Sequence, residues 1–225
     1  MFLLNAISLG RLDFTKLFVQ WGARVDMRSD MNLQQQVPYY PLIEAVCKGD
    51  EAVFDYVLGC AQEIDVEDSS GNTPLFYAAQ SQPALVSKLL QAGANVTHKN
   101  KMGQSVLIYT ASMGVIPPQE IMQLRKINVN DVDNRGNTAL IYAVGLRIDS
   151  NLSIITQLID ILMSLGADPT IKNRYGRNTI IYFQESFDAM RQSLPPFGLS
   201  SPFGAAAIRQ AGYSEFISDK VQQLE

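Results

Sequence analysis

The sequence predicts an all-α chain, a solenoid of about six stacked helix–turn–helix units followed by a helical C-terminal cap. Three observations carry this expectation. Glycines that open a turn recur at Gly71, Gly103, Gly136 and Gly176, in steps of 32, 33 and 40 residues, and a period near 33 marks helix pairs stacked in a row. The same phrase follows each glycine: Leu75-Phe76-Tyr77-Ala78, Leu107-Ile108-Tyr109-Thr110, Leu140-Ile141-Tyr142-Ala143 and Ile180-Ile181-Tyr182-Phe183. A closing phrase recurs too, as Gly22-Ala23-Arg24-Val25-Asp26, Gly93-Ala94-Asn95-Val96 and Gly166-Ala167-Asp168-Pro169.

The most complete unit runs from Asp68 to Val96. Thr73 is placed to cap its first helix, since a hydroxyl can accept from an unpaired first-turn N–H. Pro74 takes the first helical position, where its missing N–H costs nothing. Leu75, Ala78 and Ala79 share one face of that helix, and the alanines let a second helix come close. Pro83 breaks the run. A second helix carries Leu85, Val86, Leu89 and Leu90 at helical spacing and closes at Gly93. One such pair has too little core to stand alone and needs neighbours on either side.

Thr73-Pro74-Leu75, then Ala78-Ala79, then Gly93-Ala94-Asn95-Val96 resemble the ankyrin repeat family almost residue for residue. The resemblance covers roughly Met1 to Phe183, with Leu3-Leu4-Asn5-Ala6 and Pro41-Leu42-Ile43-Glu44-Ala45 in the same slot as Leu75 to Ala78. It implies an ankyrin-repeat solenoid. The family's usual histidine after the leucine is Phe76, Ile108, Ile141 and Ile181 here, so apolar packing is expected to replace a polar tie between turn and helix. The fourth unit closes on Lys126-Ile127-Asn128-Val129, where a glycine is expected.

Taken in order, the units fall at about 1–28, 37–67, 68–99, 100–132, 133–172 and 173–194, giving a repeat domain over 1–194 and a linker with a helical cap over 195–225. The first unit begins inside its first helix, as an atypical capping repeat or a part of a longer protein would. Ser29 to Tyr40 exceeds the usual inter-repeat hairpin; it is a surface insertion, or a protruding loop that offers Tyr39 and Tyr40 to a partner. Gly49-Asp50, Pro83 and Pro117-Pro118 mark the turns between helices in units two to four. Gly145 to Ser153 has surplus residues that read as a longer interhelical loop. Phe187, Met190 and Leu194 suit a last second helix, which Pro195-Pro196 ends. Ala205 to Ile208, then Phe216, Ile217, Val221 and Leu224, suggest two helices covering the last repeat.

Composition narrows the function. The chain has 225 residues, 47% of them apolar, and a formal charge of −4, which supports a folded core and argues against general nucleic-acid binding. No apolar run reaches the length of a membrane span, so no membrane partner is expected. Met1 to Leu9 lacks a basic flank and reads as a repeat helix rather than a signal peptide. Cys47 and Cys60 sit in one unit on separate helices; buried free thiols are expected, a disulfide being the alternative, and a cytoplasmic location follows. His98 is the single histidine, without the further Cys or His a zinc site needs and without signs of an activated nucleophile. The glycines punctuate turns and form no phosphate loop. Asn95-Val96-Thr97 and Asn151-Leu152-Ser153 match glycosylation acceptors only formally. The expectation is a chain that is not an enzyme and holds no metal or cofactor.

Tyr77, Tyr109, Tyr142 and Tyr182 recur in one slot, as a ladder packed between neighbouring units or, alternatively, as an exposed row that stacks on a ligand. Recognition must then come from surface shape. The resemblance implies docking on the concave side formed by the hairpin tips and the exposed face of each first helix. By position the tips hold Lys99, Lys101, Met102, Gln104, Val132, Asn134, Arg135, Asn137, Arg174, Tyr175 and Arg177. The helix faces hold Cys47, Lys48, Gln80, Ser81, Ser112, Met113, Leu146 and Glu185. Basic tips on an acidic chain, with Met102, Met113, Leu146 and Tyr175 among them, fit a protein-binding patch. The expected function is a non-catalytic scaffold or adaptor that grips a partner protein, an acidic or extended segment, with no nucleic acid or membrane involved. The alternative is the recognition part of a larger enzyme, or of a bacterial effector acting in a host cytoplasm.

Overall fold

The computed structural model describes residues 2–25, 40–122, 127–145, 152–182 and 184–185. Within them lie α1 (Phe2–Ser8), α2 (Leu12–Gln20), α3 (Pro41–Lys48), α4 (Glu51–Cys60), α5 (Pro74–Ser81), α6 (Pro83–Gln91), α7 (Val106–Ser112), α8 (Gln119–Met122), α9 (Ala139–Gly145) and α10 (Leu152–Ser164). Every regular element among the described residues is a helix. The expectations for residues 29–39, Lys126, Leu146 to Asn151, the helix over 187–194 and the cap over 195–225 fall outside the described residues.

The chain packs as two bodies. The first holds the described residues of Met1–Thr110 and Pro117–Ile127; the second holds Ala111–Ile116 and the described residues from Asn128 onward.

In the first body each helix pair leans on the next. First helices stack α1 on α3 and α3 on α5, while α2 packs on α4 and α6 on α8. Ala45, Ala78 and Ala79 are at most 1% exposed, so the close approach rests on small residues. Leu42, Val46, Phe54, Val57, Leu75, Val86 and Leu89 fill the layer between the helices. Burying one such side chain fully contributes about 1.5–3 kcal/mol, and the helices pack on neighbouring pairs as well as within their own, so a pair taken alone would lose part of its core. In the second body α9 packs on α10, with Leu140, Ala143, Leu158 and Leu162 wholly buried.

The turns follow local chemistry. Pro41, Pro74 and Pro83 each open a helix. Gly49 closes α3 in the left-handed region, φ 71°, and the Asp50 carboxylate caps α4 by accepting from Val53 N–H at 3.0 Å. Gly114 is likewise left-handed after α7, and α8 begins directly after Pro117-Pro118.

One cap differs from expectation. The Thr73 hydroxyl does not cap α5: it is buried without a hydrogen-bond partner among the described residues. The Phe76 N–H bonds the Thr73 carbonyl at 3.0 Å instead, and Pro74 has no N–H to offer. In the same slot Thr138 and Asn178 do cap, accepting from Ile141 N–H at 3.2 Å and Ile181 N–H at 3.1 Å.

Candidate interaction surface on the hairpin turns

Each hairpin turn is built around a residue three places before its glycine: Asp68, Asn100, Asp133 and Asn173. One side-chain oxygen of each accepts from the backbone two and four residues on. The donors are Ser70 and Asn72, Met102 and Gln104, Arg135 and Asn137, and Tyr175 and Arg177, all at 2.8–3.0 Å. Such Asx bonding fixes the turn before any neighbour arrives. Adjacent turns are then joined through the backbone. In the first body Lys101 N–H donates to Ser70 O at 2.9 Å, and in the second Arg174 N–H donates to Arg135 O at 2.9 Å.

The two asparagines use their amide nitrogen to reach back one repeat, Asn100 also bracing Gln104 of its own turn. Asn100 Nδ2 donates to Asn72 Oδ1 at 2.9 Å and Gln104 Oε1 at 3.0 Å, and Asn173 Nδ2 donates to Asn137 Oδ1 at 2.8 Å. An aspartate has no such donor and instead receives a tyrosine. Tyr77 Oη donates to Asp68 and Tyr142 Oη to Asp133, both at 2.6 Å. Tyr182 Oη accepts from Asn173 Nδ2 at 3.2 Å.

The expected loss of a polar tie between turn and helix is therefore corrected. Phe76, Ile108 and Ile141 are buried as predicted, but the tyrosine one residue later carries the tie, because its longer side chain reaches the Asx residue of its own turn. Tyr109 faces the preceding repeat instead. Its ring meets Phe76 edge-on at 5.3 Å and its hydroxyl donates to Gln80 at 3.0 Å. Desolvation first, and then the bond to the aspartate, push the phenols of Tyr77 and Tyr142 above their usual range. Both stay protonated donors. The tyrosine slot is structural mortar rather than an exposed stacking row.

The predicted contact residues divide by exposure. In the first body Lys99, Lys101 and Met102 are exposed, and Lys101 Nζ donates to Ser69 O at 2.7 Å. In the second body Met113, Val132, Asn134, Arg135, Arg174, Tyr175 and Arg177 are exposed. Tyr175 is 70% exposed. Arg177 is already engaged, bonded to Glu185 at 3.1 Å and lying 5.7 Å over the Tyr182 ring. Gln104 and Asn137 are buried among the amides just described, so they brace the turns from inside and do not face a partner. Leu146 lies outside the described residues. The Asx slot was missed at the sequence level, although an Asp or Asn stands three residues before every turn glycine.

Chemistry that could make or break bonds is sparse. His98 Nε2 donates to Gly71 O at 2.9 Å and the ring meets Phe76 edge-on, so the histidine locks one turn to the next. Cys47 and Cys60 are both free thiols, on α3 and α4. Their expected burial is corrected: Cys47 is exposed and Cys60 half-buried, because Cys47 closes the outward face of α3. Partial desolvation of the Cys47 thiol, helped by the Glu44 and Asp68 carboxylates, pushes it up to about 11, the reverse of an activated nucleophile. Among the described residues no three His, Cys, Asp or Glu side chains converge as metal ligands would, and no helix is long and apolar enough to cross a membrane.

Known proteins resemble the chain along most of its length. The ANK repeat-containing protein nipk-1 of Caenorhabditis elegans is 30% identical over 127 residues, which is 52% of this chain and 21% of that protein. The chain spans about a fifth of the length of the first curated relatives it matches. A crystal structure of the ankyrin repeat protein EF0377 superposes with a TM-score of 0.68 at 25% identity, covering 82% of this chain and 90% of that one. A chain in the structure of the Bdellovibrio bacteriovorus predatory endopeptidase in complex with an immunity protein superposes at 0.67 and 22% identity, covering 84% and 93%. The family model for ankyrin repeats in three copies matches residues 3–100 and 79–173. With the repeat period, the stacked helix pairs and the bonded hairpin turns, these matches identify the chain as a member of the ankyrin repeat family, an all-α repeat solenoid.

Proposed function

We propose that this chain is a non-catalytic adaptor that holds an acidic, extended protein segment along the hairpin turns of its second body. Ankyrin repeats generally serve as protein–protein interaction modules. One structural relative comes from a complex with an immunity protein. The observation that carries the reading is the pairing of Arg135 with Arg174-Tyr175 on neighbouring turns. The Arg174 N–H to Arg135 O bond sets the two turns side by side, and the Asx bonds of Asp133 and Asn173 hold each rigid. A preorganised edge of this kind loses little entropy on binding. Tyr175 is a large exposed anchor between two arginines, with Val132 and Asn134 nearby in the preceding turn, and Tyr and Arg are the residue types that dominate interface energetics. Arg177 contributes less, since Glu185 already offsets its charge.

The test is an unbiased peptide-display selection on the intact chain, followed by binding of the winners to Arg135→Glu/Arg174→Glu. Acidic winners should bind the double variant about tenfold or more weakly, with a flatter dependence on salt. Winners without acidic residues, or affinities that ignore both substitutions, refute the reading.

A further inference from the structure

Two cations stand side by side on the hairpin edge of the second body. Arg135 and Arg174 are exposed, and neither side chain has a hydrogen-bond or ion-pair partner among the described residues. The Arg174 N–H to Arg135 O bond is 2.9 Å long, which by standard backbone geometry holds the two Cα atoms within about 7 Å of each other. An extended arginine spans a comparable distance, so both guanidinium forks can close on one group standing over the turns. Like charges this close repel each other in the unbound chain.

The acids of the same turns are spent elsewhere. Asp133 is buried and accepts from Arg135 N–H, Asn137 N–H and the Tyr142 hydroxyl. Asn173, in the matching slot of the next turn, is neutral, and Glu185 is bonded to Arg177 at 3.1 Å. The arginine pair therefore lacks a carboxylate of its own. The equivalent place in the first body is built otherwise. There Ser70 and Lys101 hold the positions of Arg135 and Arg174 and share the same N–H to O bond, also 2.9 Å. One basic residue stands where the second body has two, and its Nζ is turned back onto Ser69 O at 2.7 Å.

Resting on the adaptor role proposed above, we infer that the Arg135–Arg174 pair seats a phosphorylated side chain of the partner, a phosphoserine or phosphothreonine within its acidic segment. A phosphate monoester brings a charge of about −1.5 to −2 at pH 7 and three acceptor oxygens, enough to engage both guanidinium groups. A carboxylate brings one charge and matches a single fork. Tyr175, 70% exposed, adds a hydroxyl donor on the same turn. An exposed edge of this kind suits a phosphate on a short side chain, close to the partner's backbone. Membrane headgroups and nucleic acids carry the same chemistry in extended arrays, but the chain as a whole is acidic, with a formal charge of −4, which disfavours a broad phosphate surface and favours one phosphate in a short segment.

Three pools of otherwise identical degenerate peptides, with phosphoserine, glutamate or serine fixed at the centre, would be passed over the immobilised intact chain and the retained peptides measured singly. Phosphoserine peptides should bind about tenfold or more tightly than their glutamate counterparts. Their affinity should rise severalfold between about pH 5.5 and about pH 7.5, as the second phosphate proton leaves near pH 6, while that of the glutamate peptides changes little. Arg135→Lys/Arg174→Lys keeps both charges but not the planar forks. It should erase most of the phosphoserine advantage while holding glutamate binding within about threefold. Glutamate peptides as tight as the phosphoserine ones overturn the inference and leave the acidic-segment reading standing. A phosphoserine advantage that is flat with pH, or that survives the double lysine variant, overturns it too. So does tighter retention of the chain by phosphoinositide vesicles than by any phosphopeptide, which would assign the pair to a headgroup. Retention of no peptide from any pool overturns it as well, and the display selection then decides separately on the acidic segment. The wild-type pH profile settles the question should the lysine variant fail to fold.

Discussion

Replacing Asn100 with alanine removes the most connected side chain of the turn network. Asn100 is 6% exposed, and its amide makes four hydrogen bonds: it accepts from Met102 N–H and Gln104 N–H and donates to Asn72 Oδ1 and Gln104 Oε1. Met102 is 46% exposed, so its N–H can turn to water. The other three groups belong to residues at most 7% exposed, where solvent does not replace the lost partner. A stranded buried polar group costs about 1–3 kcal/mol. Three of them, with some relaxation, give a loss of about 3 kcal/mol or more. That is a large share of the roughly 5–15 kcal/mol that holds an ordinary domain. In urea it corresponds to a midpoint lower by about 1–2 M at unchanged slope. Exchange of the Gln104 amide, and of the Lys101 amide that bonds Ser70 O, should accelerate with it. The exposed control Gln62→Ala should stay within about 0.5 kcal/mol of wild type. A loss below about 1 kcal/mol for Asn100→Ala, or a Gln104 amide that exchanges at the wild-type rate, would refute the assignment of this residue as the clamp between repeats.

Two further outcomes follow from the same network. Tyr77→Phe deletes the 2.6 Å bond to Asp68 and should lower stability near neutral pH by about 1–2 kcal/mol. The fold raises this phenol above its ordinary value of 10.0. Its contribution is therefore complete below the unfolded value and lost as pH climbs through the folded one. Wild type should weaken above about pH 10 more steeply than Tyr77→Phe does; equal slopes in urea titrations at pH 7, 9 and 10.5 would contradict this. Gly136→Ala adds a Cβ 2.9 Å from the Arg174 backbone nitrogen at φ 78°, whereas Gly176→Ala, at φ 72°, meets nothing within 4 Å. Both carry the left-handed strain of about 1–2 kcal/mol. Gly136→Ala should cost clearly more and should alone speed exchange of the Arg174 amide, and equal losses would argue against the close turn-to-turn contact.

Much of this architecture is written locally in the chain, and the part that is not depends on residues a repeat apart. The period of the glycines, the leucine phrase and the prolines at helix starts each act within a few residues, so Pro41, Pro74 and Pro83 open helices where expected and Gly49 closes one. The polar positions were harder. Gln104 and Asn137 look like solvent-facing tip residues in the sequence, because the contacts around them involve a neighbouring repeat: Asn137 meets Asn173 36 residues later, and Gln104 is bonded by Asn100 of its own turn, which reaches back to Asn72 28 residues earlier. The tyrosine repeat was visible, but not what its hydroxyl would find. That depends on whether the turn supplies an aspartate, which accepts, or an asparagine, which donates. Thr73 misled for a related reason. A capping residue in type and position, it is followed by Pro74, and the Phe76 N–H that it could have served is taken by its own carbonyl. The candidate edge was legible only in part. Arg135, Arg174 and Tyr175 could be named as tip residues, but the backbone bond that sets the two turns side by side has no side-chain signature.

Side-chain footprinting of Tyr175 tests the central claim most directly. Its ring is 70% exposed in the unbound chain, so hydroxyl radicals should label it readily. Adding the tightest acidic peptide from the display selection should suppress labelling of Tyr175 severalfold while leaving Trp21 at its rate in the unbound chain. Saturating peptide that leaves Tyr175 as reactive as before, while protecting residues elsewhere, would show that recognition lies away from the arginine turns.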